Sequence, residues 1–179
     1  MLEVETKIRV GEVEAVRRRL AALGAGLEPA RVQTDLFFQH PQRDFAATDE
    51  ALRLRSEEGV LELTYKGPRH ESDAKVRDEV NVPVAADPTP LLEALGFRKA
   101  AVLRKERAST RVDECRVELD HVAGLGWFLE VEALGDDAPA AAAAVHTTLA
   151  RLGLEDAPRI TDSYLEMALS AGAEGARTV

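Results

Sequence analysis

The side chains with the most chemistry in this chain are charged and spaced two residues apart. In "LEVETKIRV" at the start, Glu3, Glu5, Lys7 and Arg9 alternate with Leu2, Val4, Ile8 and Val10, Thr6 sharing the apolar side. That period places the two sets on opposite faces of a β-strand. The pattern recurs. Arg53 and Arg55 oppose Leu52 and Leu54, while Glu62 and Lys66 oppose Leu61, Leu63 and Tyr65. Arg77, Glu79 and Asn81 alternate with Val76, Val80 and Val82, although Asp78 breaks the apolar side. Lys105 with Arg107, Glu118 with Asp120, and Glu130 with Glu132 complete the series.

Two arrangements account for such faces. In one, a flat sheet carries helices on its apolar side and turns its ions to water, where each surface pair contributes little. In the other, the sheet curls so that the ionic faces line an enclosed passage. Carboxylates packed side by side then need cations between them, and facing Lys and Arg need an anion. Both kinds in one cavity point to divalent metals with a polyanion, and a nucleotide or organic triphosphate suits both.

The elements that must position these residues follow from periodicity. "GEVEAVRRRLAALGA" predicts a helix with Val13, Val16, Leu20 and Leu23 on one face, stopped by Gly24 and Gly26. "ARVQTDLFFQ" predicts a strand, followed by a polar loop. "EALRLRSEEGVLELTYKGP" predicts a hairpin turning at Glu58-Gly59, with Gly67-Pro68 ending its second strand. "RHESDA" predicts a loop and "KVRDEVNVPV" another strand. Asp87 is the expected N-cap of a short helix in "DPTPLLEALGF". Three further strands are expected in "FRKAAVLRKERASTRV", "CRVELDHV" and "GWFLEVEAL", then helices in the alanine-rich "DDAPAAAAAVHTTLARLGL" and in "DSYLEMALSAG".

The chain has 179 residues, 45% hydrophobic and 31% charged, with a formal net charge of -9. This is a globular composition lacking the basic footprint of a general nucleic-acid binder. The lone Cys115 permits no internal disulfide, and no apolar run is long enough for a membrane span. The cytoplasm is therefore the expected location, with no nucleic-acid or membrane partner. One domain is expected over residues 1–170, with a flexible tail at 171–179.

These residues resemble the CYTH superfamily, the triphosphate tunnel metalloenzymes. "EVETK" at residues 3–7 fits its Glu-x-Glu-x-Lys signature, and "QTDLFF", "ALRLR", "LTYKGP", "VRDEV", "RKERAS", "VELDHVAGLGWFLEVE" and "SYLEM" follow in the family's order. The likeness runs from about residue 2 to about residue 168. It implies an α+β fold in which eight antiparallel strands form a barrel-like tunnel flanked by helices, with charges pointing inward.

By the same resemblance, Glu3, Glu5, Asp120, Glu130 and Glu132 would hold Mg²⁺ or Mn²⁺. Lys7, Arg53, Arg55, Lys66, Arg77, Lys105 and Arg107 would grip phosphate oxygens, with Lys7, Lys66 and Arg55 closest to the chemistry. Glu79 is left without a role, since an Arg-Glu pair supporting the wall fits equally. Tyr164, in a terminal helix that closes one tunnel mouth in related proteins, either contacts substrate or packs. His121 and Trp127 are read as packing residues, and Gly124 and Gly126 as turn residues.

The implied substrate is a small triphosphate: ATP, thiamine triphosphate or tripolyphosphate. Three activities fit. A class IV adenylate cyclase would form cyclic AMP and pyrophosphate; a triphosphatase would hydrolyse the chain; a non-catalytic protein would only bind it. Phe37 and Phe38 stand where many hydrolytic relatives carry an aromatic hydroxyl beside the signature lysine, which favours the cyclase. Glu132 suits both reactions. Related cyclases form dimers, so the resemblance also implies a homodimer.

Overall fold

The computed structural model describes residues 2–69, 77–171 and 177–178, the side chains of Leu2, Glu3, Arg69, Arg77, Arg177 and Thr178 excepted. The expected "RHESDA" loop lies largely outside the described residues, as does most of the expected tail. Eight long strands are present: β1 (Leu2–Arg9), β2 (Arg31–Gln39), β3 (Ala51–Glu57), β4 (Val60–Arg69), β5 (Arg77–Val84), β6 (Arg98–Val112), β7 (Cys115–Val122) and β8 (Gly126–Gly135). Two-residue strands β9 (Arg159–Ile160) and β10 (Arg177–Thr178) add to β1 and β6. The helices are α1 (Val13–Ala22), α2 (Thr89–Ala94), α3 (Ala138–Arg151) and α4 (Tyr164–Ala171).

Strand pairing is antiparallel throughout, in the order β5-β4-β3-β2-β6-β7-β8-β1-β9. Among the described residues no hydrogen-bonded ladder joins β5 to β9, so the curled sheet is not closed. The curl is measurable from side chains. On a flat sheet β1 and β6, three strand spacings apart, would be separated by about 14 Å. Instead the Nζ atoms of Lys7 (β1) and Lys105 (β6) lie 4.3 and 5.1 Å from the centre of one ring, that of Tyr164. The architecture is an α+β tunnel with α1, α2 and α3 outside it.

Each strand's alternation sorts its side chains. Val4, Ile8, Val117, Leu119, Leu129 and Val131 point outward and are buried under Val16 and Leu20 of α1 and Val145 and Leu149 of α3. Leu52, Leu54 and Phe38 do the same under Leu92 of α2 and Phe45 of the β2–β3 loop. The helices thus remove the apolar faces from water, and the ionic faces are left on the concave side.

Local chemistry sets the boundaries. Glu58 (φ 49°) and Gly59 (φ 85°) form the two-residue link between β3 and β4, the left-handed pair a tight hairpin requires. Strand β4 continues past the expected stop to Arg69, because its register with β5 shifts between Lys66 and Arg69. That irregularity accommodates Pro68, which has no N–H for a regular ladder. The N-cap of α2 is Pro88 and not the expected Asp87, which stands one residue earlier and accepts the Thr89 N–H on its Oδ1 at 2.8 Å. Ser163 and Glu166 form a reciprocal box before α4: the Ser163 N–H donates to Glu166 Oε2 at 2.6 Å, and the Glu166 N–H donates to Ser163 Oγ at 3.1 Å.

Helix α4 is the one that packs on the concave side. Tyr164 and Ala168 cluster with Leu103, Val122 and Phe128, apolar side chains on the inner face. This plugs one end of the passage. At the other end a cavity of about 370 Å³ opens between Arg31, Gln33, Glu57, Arg107, Arg111 and Arg116.

Candidate functional site

Between plug and opening, the inner face carries two connected charge clusters. The first is built by β1, β6, β7 and β8, whose registers set Lys7 beside Glu130, Glu130 beside Glu118, and Asp120 beside Arg107. Lys7 is only 3% exposed. Its Nζ lies 3.4 Å from Glu130 and 4.0 Å from Glu5, and donates to the Asp162 carbonyl at 3.1 Å. Lys105 Nζ donates to Asp120 Oδ2 at 3.0 Å. Arg107 forks onto Asp120, Nε to Oδ1 at 2.7 Å and Nη2 to Oδ2 at 2.5 Å, and also pairs with Glu118 and Glu130. Arg116, at the open mouth, approaches Glu118 at 3.0 Å and Glu132 at 3.6 Å.

The second cluster comes from β2 to β5. Asp35 receives both arms of Arg55, Nε and Nη2 each at 2.7 Å, while Arg53 Nη1 stands 3.8 Å away. Arg53 donates to Thr64 Oγ1 at 3.1 Å, and Thr64 donates on to Asn81 at 2.7 Å. Lys66 donates to Glu79 at 2.6 Å. The clusters meet where β2 pairs with β6: Arg55 feels the charges of Arg107 and Glu118, and Asp35 that of Lys105.

Such pairs are poor devices for stability alone. Removing charges from water costs several kcal/mol per ion, and a buried ion pair contributes little over an apolar pair of the same volume. The pKa shifts record the balance. Burial drives Lys105 down to about 8, reinforced by Arg107 and opposed by Asp120 and Glu130. Burial raises the Glu130 carboxyl, but Arg107, Lys105 and Lys7 outweigh it and hold the group well below the usual range. Asp120 is lowered in the same way by Lys105 and Arg107 against burial. Arg53 falls below its ordinary value because burial outweighs Asp35, whereas Arg107 rises because Glu130, Asp120 and Glu118 outweigh burial. Perturbed groups gathered in a cleft mark a functional site.

The set expected from sequence is brought together where it can be seen. Lys7, Arg53, Arg55, Lys66, Lys105, Arg107, Glu5, Asp120, Glu130 and Glu132 share the inner faces of their strands. The side chains of Glu3 and Arg77 lie outside the described residues. Glu79 supports the wall, with Lys66 as its partner. His121 stacks on Trp127, ring centres 4.6 Å apart, away from the charge clusters. Sequence reasoning gave no role to Asp35, Gln33, Thr64 or Glu118, all buried. Asp35 and Gln33 were readable as the polar alternates of "RVQTDLFF", and Glu118 as the alternate of Asp120.

The acidic donors fit a hard divalent cation, being carboxylate oxygens throughout. One of them, Glu118 Oε1, is buried without a hydrogen bond, Arg116 approaching it as an ion pair only. Among the described residues, no three such side chains stand grouped around a single metal position; the guanidinium of Arg107 lies between Glu118, Asp120 and Glu130.

Comparison with known proteins agrees with this geometry. Adenylate cyclase CyaB of Aeromonas hydrophila is 32% identical over 169 residues, 90% of this chain and 86% of that protein. MJ0240 of Methanocaldococcus jannaschii, provisionally named an adenylate cyclase, is 36% identical over 134 residues, 74% of this chain and 77% of its own. The solved PH1819 protein of Pyrococcus horikoshii superposes with a TM-score of 0.80 at 32% identity, covering 94% of this chain and 98% of that one. The CYTH domain profile matches residues 1–164, a span that takes in every strand from β1 to β8 and both charge clusters, and the chain belongs to the CYTH domain family.

Proposed function

We propose that the protein is a metal-dependent enzyme acting on a triphosphate inside its charged tunnel, and that its reaction converts ATP to cyclic AMP and pyrophosphate. The observation that carries this reading is the concave face itself. Lys7, Arg53, Arg55, Lys66, Lys105 and Arg107 converge there from four strands, interleaved with carboxylates and largely shielded from water. A polyphosphate would replace the carboxylates that pair with Arg107 and the lysines, and would take the donors of Arg55 that its fork onto Asp35 leaves open. The arginines would bind in their planes and the lysines as point charges. The carboxylates so released are the natural holders of a cation. Glu5, Asp120, Glu130 and Glu132, with Glu3, would hold Mg²⁺ or Mn²⁺, a cation that would supply neutralisation of phosphate charge and acidification of the hydroxyl.

In this reading the chain's own residues fix the triphosphate so that the α-phosphorus faces the ribose 3′-hydroxyl, which is positioning and electrostatic work. The names of the Aeromonas and Methanocaldococcus relatives support cyclisation over other outcomes. A second reading, hydrolysis of a triphosphate, has one specific observation in its favour. A tyrosine does stand beside the signature lysine, Tyr164 with Lys7 over its ring, although it comes from α4 and not from β2.

The deciding experiment is incubation of the protein with ATP, thiamine triphosphate and tripolyphosphate, each with Mg²⁺ or Mn²⁺, products resolved by chromatography. Cyclic AMP with pyrophosphate is the expected result. Orthophosphate from any of the three supports the hydrolase, and binding without turnover supports a non-catalytic role.

A further inference from the structure

Asp35 is 3% exposed and sits directly across the β2–β3 ladder from Arg55. Both its oxygens are engaged by that guanidinium, at 2.7 Å each, and the second oxygen also has Arg53 Nη1 at 3.8 Å. The charged groups around it are Arg55 and Arg53 from β3 and Lys105 from β6, all cationic. An arginine has five N–H donors in a rigid plane. The fork uses Nε–H and one hydrogen of Nη2, which leaves three donors in a fixed plane. A second support acts on Arg53, whose Nη2 donates to Thr64.

This arrangement is a poor one for affinity alone. A buried anion beside two phosphate-gripping arginines weakens the positive potential that draws in a polyphosphate, and it competes for their donors. A fold selected only for tight binding would place a neutral residue there. What the carboxylate supplies is orientation. A guanidinium on a long flexible stem loses its aim without a planar partner, and misplacement by about 1 Å can slow turnover by roughly 100-fold.

We infer that Asp35 is a positioning residue that aligns the guanidinium of Arg55, and with it Arg53, for the reacting triphosphate, at the expense of ground-state affinity. It touches no reacting atom and acts through the arginines. The inference rests on the phosphate-gripping role of Arg53 and Arg55 proposed above. It adds that their direction, and not only their charge, is built into the protein by a residue outside the metal-binding and phosphate-binding sets.

The test is calorimetric binding of tripolyphosphate together with steady-state turnover of ATP, for the wild type, Asp35→Asn and Asp35→Glu. Asp35→Asn is expected to bind tripolyphosphate several-fold more tightly while kcat falls by on the order of tenfold or more. Asp35→Glu retains the charge but displaces the fork by one methylene. It should bind within about twofold of wild type and lose kcat by a similar factor. In an Arg55→Lys background, Asp35→Asn should lower kcat no further, as expected when one residue acts through another. Unchanged kcat in both variants overturns the inference. So does weaker binding in proportion to a lowered melting temperature with kcat intact, the signature of a merely structural role. If Asp35→Asn does not fold, the kcat and affinity of Asp35→Glu decide. Wild-type protein that binds no tripolyphosphate overturns the phosphate-gripping reading and this inference with it, whereas wild-type binding with indifferent variants overturns the inference alone.

Discussion

Among the individual residues, Glu130 has the greatest number of consequences. It contacts Lys7 and Arg107, and its carboxyl is held ionised by them. Glu130→Gln is expected to abolish metal-dependent turnover at saturating Mg²⁺ or Mn²⁺, with a folded circular-dichroism spectrum and a lowered melting temperature; full activity would remove Glu130 from the site. Arg55→Ala should weaken tripolyphosphate binding far more than diphosphate or adenosine binding, because only the longer anion reaches its donors. Calorimetry with the three ligands checks this, and equal losses would contradict the role. Asp35 also predicts a pH effect. Burial raises its carboxyl, but the Arg55 hydrogen bond and the charges of Arg53 and Arg55 outweigh this and leave it lowered. A lowered acid stabilises the fold above the unfolded pKa, about 4, and that contribution is lost as pH falls through the folded value. Wild type should therefore lose stability below about pH 4 more steeply than Asp35→Asn, as denaturant titrations across that range would record.

Helix α4 decides the most among the elements, because it converts a curled sheet into a passage with one end plugged. Its start was legible in Ser163-x-x-Glu166, whose reciprocal hydrogen bonds satisfy donors at the helix N-terminus. Its docking at the tunnel mouth was implied by the family resemblance alone, since helix periodicity does not reveal which face of a sheet will receive it. Tyr164 packs edge-to-face on Phe128, ring centres 5.2 Å apart, and its buried hydroxyl makes no hydrogen bond. Burial, with Glu130 and Asp120 nearby, pushes that hydroxyl well above the ordinary phenol value. Tyr164→Phe should therefore fold with unchanged or slightly higher stability, and cyclic AMP formation should persist. A specific loss of phosphate release in that variant would instead favour the hydrolase reading. Tyr164→Ala removes the ring that sits over Lys7 and Lys105 and should cost about 3 kcal/mol or more in denaturant unfolding.

For the whole molecule, a net charge of -9 coexists with a concave face rich in cations. Those cations are interleaved with carboxylates, and their shielding from water lets an acidic protein present local positive groups to a polyanion despite its overall charge. A ligand that binds only the folded state adds stability by mass action, about 2.7 kcal/mol at one hundred times its dissociation constant. Tripolyphosphate with Mg²⁺ should raise the melting temperature clearly, and orthophosphate at the same concentration should not. Equal shifts with both anions would point to nonspecific screening and away from a tunnel site. Described helices include none long and apolar enough to cross a membrane.

By itself the sequence determined the elements and their two-faced character, because strand alternation and helix periodicity are local properties written in residue order. Eight strands, the Glu58-Gly59 hairpin and the ionic identity of one face could all be read from "EVETK" to "EVE". Local order could not decide between ions facing water and ions facing one another. That choice depends on sheet curl and on where helices dock, which arise from side chains more than a hundred residues apart, as when Tyr164 covers Lys7. Tertiary structure alone also paired the charges. Asp35 read as one polar alternate in a strand until the β2–β3 register set it against Arg55, because a partner across a ladder has no fixed distance in sequence.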